Sequence, residues 1–118
     1  MSEIRATTIS DAAGTGPITL TGQSAAKAWA QIDGDPVGIN GSFNVASATD
    51  VATGRFDIAF INNMSAATYA VPAETDLQAM RIESGLITAS GFRVTTEITS
   101  GADTDATYAM FATHGDLA

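Results

Sequence analysis

The chain has 118 residues, no cysteine, and five basic residues against thirteen acidic ones, for a formal charge of −8. That length makes one domain with a modest core, and the absence of cysteine excludes disulfides and thiolate metal sites. Arg5, Lys27, Arg55, Arg81 and Arg93 are scattered rather than clustered, which excludes the basic surface that nucleic acid or an anionic membrane requires.

Residues 1–25 differ from the rest. Glu3 to Ile9 reads as a short strand, Asp11 to Pro17 as an irregular turn, and Ile18 and Leu20 alternate with Thr19 and Thr21 in a second short strand. Gly22-Gln23-Ser24 is a hinge. Two readings stay open: an edge hairpin of the domain, or an attachment arm ordered by docking on a partner.

From Ala26 onward, apolar residues recur at every second position and Gly, Asp, Asn and Ser cluster between the runs, the pattern of half-buried antiparallel strands. Ala26–Ile32 is a strand with Ala28, Ala30 and Ile32 inward and Lys27, Trp29 and Gln31 outward. A Trp on the outer face points to an oligomer interface. Asp33-Gly34-Asp35-Pro36 is the hairpin turn, preferred over Asn40-Gly41, because a turn at the latter would split Ile39 from Phe43 and Val45. Ser47–Gly54 reads as a connection, and Arg55–Ile61 as the clearest strand of the chain. Asn62–Ser65 is expected to turn, Thr68–Val71 to be a strand stopped by Pro72, and Ala73–Asp76 to be a loop. Leu77–Glu83 is a strand with Gln78, Met80 and Ile82 on one side, with a helical turn as the competing reading. Gly91–Ile98 sets Phe92, Val94, Thr96 and Ile98 on one face; Ser100–Asp105 is a turn; Ala106–Thr113 closes the sheet, with Tyr108 and Met110 opposite Phe111. Seven or eight short strands at even spacing predict an all-β fold, an antiparallel β-sandwich, jelly-roll-like. The small side chains leave its core poor in volume, which favours an oligomer.

The sequence carries no constellation for catalysis. His114 is the only histidine and has no nucleophile or carboxylate at motif spacing, so it reads as a surface residue. The acids fall mostly in turns, where their side chains bond local backbone. Asp33-Gly34-Asp35 and Asp103-Thr104-Asp105 resemble fragments of calcium loops but lack the remaining ligands. The expectation is no enzyme, no cofactor and no required metal. No stretch approaches membrane-span length, and Met1–Ala6 lacks the apolar core of a signal peptide.

The ordered phrases Ala26-Lys27-Ala28-Trp29, Ser42-Phe43-Asn44-Val45-Ala46-Ser47, Gly54-Arg55-Phe56-Asp57-Ile58-Ala59-Phe60 and Ala67-Thr68-Tyr69-Ala70-Val71 resemble a family. It comprises the short β-rich fibre and spike proteins of tailed bacteriophages and gene transfer agents. Arg5–Asp11 and Gly16–Gly22 are similar to segments that precede this domain in such fibres. The likeness covers most of residues 4–71. It departs at Asn40-Gly41, where the family more often shows Arg-Ala or Arg-Asp, and at Arg55-Phe56, where it shows a Tyr.

The resemblance implies a virion surface protein, made in the bacterial cytoplasm and usually trimeric, whose exposed end meets the host envelope. Residues 1–25 would then attach to capsid or tail proteins, and residues 26–118 would form a homotrimeric receptor-binding domain for host surface polysaccharide. The alternatives are a purely structural capsid or tail decoration protein, and a free carbohydrate-binding module or weak hydrolase. The sugar-binding candidates are the loops Ala73–Asp76 and Ser100–Asp105 with their neighbours: Tyr69, Asp76, Asp103, Asp105 and Tyr108. Trp29 is the candidate for the oligomer interface.

Overall fold

A computed structural model describes residues 25–118. The two expected N-terminal strands and the Gly22-Gln23-Ser24 hinge lie outside the described residues. Among the described residues eight strands form two four-stranded antiparallel sheets packed face to face, the expected all-β sandwich. Strands β1 (Ala28–Gly34), β2 (Val37–Phe43), β5 (Ala73–Thr75) and β8 (Ala109–Thr113) make one sheet in the order β2-β1-β8-β5, here the β1 sheet. Strands β3 (Val45–Ala52), β4 (Arg55–Phe60), β6 (Ala79–Ile82) and β7 (Gly91–Glu97) make the other in the order β3-β4-β7-β6, the β4 sheet. The last strand closes the fold beside the first, β8 lying antiparallel to β1.

Period-two alternation fills the space between the sheets. Ala28, Ala30 and Ile32 of β1 are buried, as are Ala109, Phe111 and Thr113 of β8, Phe56, Ile58 and Phe60 of β4, and Phe92, Val94 and Thr96 of β7. Five of the seven phenylalanine and tyrosine residues lie in this core. Phe60, Tyr69 and Phe92 contact one another, and Phe92 contacts Phe111, edge to face or tilted, with ring centroids 4.9–6.4 Å apart. The small residues of β1 are thus offset by an aromatic cluster, an arrangement that also adds favourable quadrupole contacts.

The structure corrects the sequence reading of residues 37–54. A single strand running from 37 to 45 does not form. Asn44 takes a left-handed conformation, φ 56°, and the chain crosses there from one sheet to the other. Asn tolerates that region better than other side chains. The Asn40-Gly41 signal is taken up by a bulge: Gln31 pairs with Gly41 and Ile32 with Ile39, leaving Asn40 as the extra residue. The bulge shifts Phe43 to the outer face, opposite Trp29. Ser47–Gly54 is mostly strand β3, not a connection. Its alternation is faint because it is an edge strand, with register shifts either side of Ala46 and Val51, a common way to blunt an edge.

A second correction concerns residues 68–76. Only Ala70 pairs, in an isolated bridge with His114, and the strand lies after Pro72, at Ala73–Thr75, where a loop was expected. Proline has no N–H to give the ladder; Pro72 instead accepts a hydrogen bond from the Ala112 N–H at 3.1 Å. Met64, expected in a turn, is buried. The strand reading of 77–83 holds, with Met80 and Ile82 packed on the core. Helical structure here is limited to one 3-10 turn, Ser84–Leu86.

Candidate interaction surfaces

Antiparallel pairing sorts the connections to the two ends of the sandwich. One end carries the β1–β2 turn at Asp35-Pro36, the β3–β4 turn at Thr53-Gly54, residues 76–78, and the long segment 98–108. The other end carries Ala25–Lys27, the Asn44 crossing, residues 61–72 and 83–90, and the C-terminal residues 114–118. The segment leading in from residues 1–24 and the 98–108 loop are therefore at opposite ends.

At the loop end the sugar-binding candidates fall into two pairs. Asp76 sits beside Tyr108: its carboxylate accepts the Tyr108 N–H at 3.2 Å and the Thr107 N–H at 3.3 Å. Loss of water contact is the largest single influence on this carboxyl and raises its pKa, but the hydrogen bonds from Tyr108, Thr107 and its own backbone together outweigh it and hold the pKa below 3.8. Asp103 and Asp105 sit on the side of the β4 sheet. Asp103 accepts the Arg55 Nε–H at 2.7 Å, and Asp105 accepts the Gly54 N–H at 2.6 Å. The Thr96 hydroxyl donates to the Thr104 carbonyl at 2.6 Å, and Thr104 N–H donates to Thr96 O. Gly54, at φ 68°, lies so close to the Thr104 and Thr96 backbone that a Cβ would collide with both. These contacts fasten the Ala102–Asp105 stretch to the β3–β4 turn, so two of the candidate acids are used in holding their own loop. Tyr108 is half-buried and Tyr69 is buried.

Tyr69 is the correction among the site residues. It is buried in the aromatic cluster, and its hydroxyl is shared between the Thr88 carbonyl at 2.9 Å and the Gly91 carbonyl at 3.0 Å. Burial pushes its pKa up to about 12. A ring so enclosed has no face for a sugar. Gly91, one of its acceptors, is irreplaceable for a separate reason: a Cβ there would run into the Ile58 carbonyl. The apolar neighbours of Tyr69 in sequence, Ala67, Ala70 and Val71, give no periodic hint of this burial.

The outer faces of the two sheets differ in chemistry. On the β4 sheet, cross-strand partners are charged and paired: Arg93 binds Asp57 through Nε and Nη2 at 2.6 and 2.9 Å, Arg81 reaches Glu97 at 2.8 Å, and Thr95 donates to Glu83 at 2.7 Å. The Arg93 guanidinium holds the Asp57 carboxyl below its ordinary value. On the β1 sheet the outward rows read Phe43, Trp29, Ala112 and then Gly41, Gln31, Met110, Glu74 across the strands. Trp29 is 45% exposed, as the sequence pattern placed it, and Phe43 is 57% exposed.

Among the described residues no three histidine or carboxylate side chains converge as a metal site, and no helix is long and apolar enough to cross a membrane. His114 is half-buried, its backbone paired with Ala70. Phe43 is the surface residue that sequence reasoning missed, having been read in one alternating run with Ile39 and Val45; the Asn40-Gly41 pair was its signal, since an extra residue inverts the faces after it. No family model matches the chain, and no curated protein or solved structure matches it either.

Proposed function

We propose that the chain is a surface spike or fibre protein of a phage or phage-like particle. In this reading it works as a homotrimer, is anchored to capsid or tail proteins through residues 1–25, and binds host cell-surface polysaccharide with its far end. The observation that supports it is the opposition of ends: the lead-in at Ala25–Lys27 is at one end of the sandwich and residues 98–108 are at the other. An attached domain needs this polarity to present one end outward. The resemblance of the ordered phrases to those of phage and transfer-agent spikes suggests the particle. The sugar contact falls to Asp76 and Tyr108, with the Asp103–Asp105 loop beside them and without Tyr69.

The test is a chain lacking residues 1–24. It should remain folded, lose incorporation into particles, and keep its binding to encapsulated cells. Loss of cell binding with retained incorporation would reverse the two ends.

A structural decoration protein without receptor binding is the second reading. It is favoured by one observation: Asp76, Asp103 and Asp105 all use carboxylate oxygens on this chain's own backbone or on Arg55.

A further inference from the structure

The strongest asymmetry of the molecule lies between its two outer faces. The β4 sheet presents Asp57, Arg93, Arg81 and Glu97 in cross-strand ion pairs, a face satisfied in water. The β1 sheet presents Trp29 and Phe43 as direct cross-strand neighbours, flanked by Ala112, Met110 and Gln31, and Glu74 at the β5 edge is the only charge in these two rows. Opposite Gln31 stands Gly41, and the Trp29 ring edge lies 3.6 Å from where a Gly41 Cβ would be. The indole therefore leans over a backbone with no side chain to hold it off, next to the exposed Phe43 ring. Exposed single apolar residues are ordinary; two adjacent aromatics with a methionine beside them, on a face almost free of charge, are the composition of an interface centre.

We infer that copies of this chain meet through the outer face of the β1 sheet, with Trp29 and Phe43 of each copy covered by another copy. Charge selects the occupant. A chain of net charge −8 repels its own kind wherever acids face acids, so self-association needs a face that lacks them. A basic partner, by contrast, gains little from a face whose two acids, Glu74 and Asp33, are at the rim. Area sets the manner of contact. Four short strands span a footprint of roughly 20 by 15 Å. That is well under the ~800 Å² each partner contributes to a standard stable interface. This face alone is too small for a stable assembly, so a ring of copies has to add contacts from outside it. This surface deepens the homotrimer in the reading above and rests on that reading only for the number of copies.

Trp29 is the only tryptophan of the chain, so its emission reports the burial of this face without a label. The experiment follows mass by light scattering and Trp29 emission together, on the full chain, across a dilution series. The expected result is an oligomer with blue-shifted emission that moves to the red as mass falls to that of a monomer. Phe43→Arg, at a position already exposed, should raise the dissociation concentration by about 30-fold or more, in line with loss of an aromatic hot spot. Thr49→Arg on the outer face of the β4 sheet should leave it unchanged, and circular dichroism should show both variants folded. An oligomer insensitive to Phe43→Arg, or one whose Trp29 stays red-shifted, would place the interface elsewhere and overturn the inference. So would a monomer at all concentrations, including one whose Trp29 is blue-shifted until residues 1–24 are removed, which would make that segment the occupant. Loss of polysaccharide binding by an intact oligomer would reject the receptor function and leave this interface standing.

Discussion

Asn44 and Asn62 hold each other by a reciprocal pair of hydrogen bonds. The Asn44 Oδ1 accepts the Asn62 N–H at 2.6 Å, and its Nδ2 donates to the Asn62 carbonyl at 3.0 Å. The same Nδ2 donates to the Lys27 carbonyl at 3.0 Å. Three segments at the lead-in end are tied by one side chain, at the residue where the chain passes between sheets. Asn44→Gly keeps the backbone conformation and loses the bonds, so it should cost about 2–3 kcal/mol. Asn44→Ala adds the left-handed strain and should cost about 1–2 kcal/mol more. Urea unfolding of the two variants separates these contributions; equal losses would show that the backbone conformation carries no strain.

Much of the fold was legible because the inward residues are apolar on alternate positions. β1, β4 and β7 were placed within a residue or two from Ala28-Ala30-Ile32, Phe56-Ile58-Phe60 and Phe92-Val94-Thr96, and β8, expected from Ala106, starts three residues later at Ala109. The errors fell where pattern and pairing part. β3 is an edge strand in which Ala, Ser, Thr and Asp separate Val45 from Val51, with two irregularities that erase its alternation. β5 is only three residues long and follows a proline. A bulge moved Phe43 across the sheet, and no local period reveals a bulge. The candidate site was legible in part: the loop ends and the outward Trp29 followed from turn chemistry and alternation. The burial of Tyr69 depends on contacts with Phe60 of β4 and Phe92 of β7, which no local period reveals.

Acid should weaken the protein in a defined way. Asp57 has its pKa lowered from 3.8, chiefly by the hydrogen bonds from Arg93. A carboxylate with a depressed folded pKa contributes stability that is complete above the unfolded value and fades as pH falls through the folded one. The loss should therefore set in below pH ~4. Asp57 is nearly half exposed, and solvent screening limits its share to about 0.2–1 kcal/mol. Asp57→Asn should be slightly less stable at pH 7 and show a flatter acid limb in unfolding curves taken at several pH values. An unchanged acid limb would remove the pair from the stability of the fold.

Tyr69 predicts the alkaline side. Its pKa, raised from 10.0 to about 12 by burial, makes stability complete below pH 10 and progressively lost as pH rises toward 12. Ultraviolet titration should show Tyr69 resisting ionisation until that range. Tyr69→Phe should abolish the late step and cost about 1 kcal/mol through the lost hydrogen bond. Ionisation of Tyr69 near its ordinary value in folded protein would put it in contact with water.

The acids of the loop end allow structure and binding to be separated. Asp105→Ala leaves the Gly54 N–H without its acceptor and should cost about 1–2 kcal/mol, read as a lower denaturant midpoint. Asp76→Ala frees the N–H groups of Thr107 and Tyr108 at the surface, where water replaces the carboxylate, so its effect on stability should be small. If these acids contact sugar, Asp76→Ala weakens glycan binding without a matching fall in midpoint. A binding loss that merely follows the midpoint across the set would mark both residues as structural.

The most direct measurement compares binding of the full chain to host cells that carry surface polysaccharide with binding to the same cells stripped of it. A spike that reads polysaccharide predicts saturable binding to the first, none to the second, and competition by the purified polymer. Equal binding to both, or to neither, by protein that still assembles into particles would contradict a receptor role and leave the chain as a structural component of the particle surface.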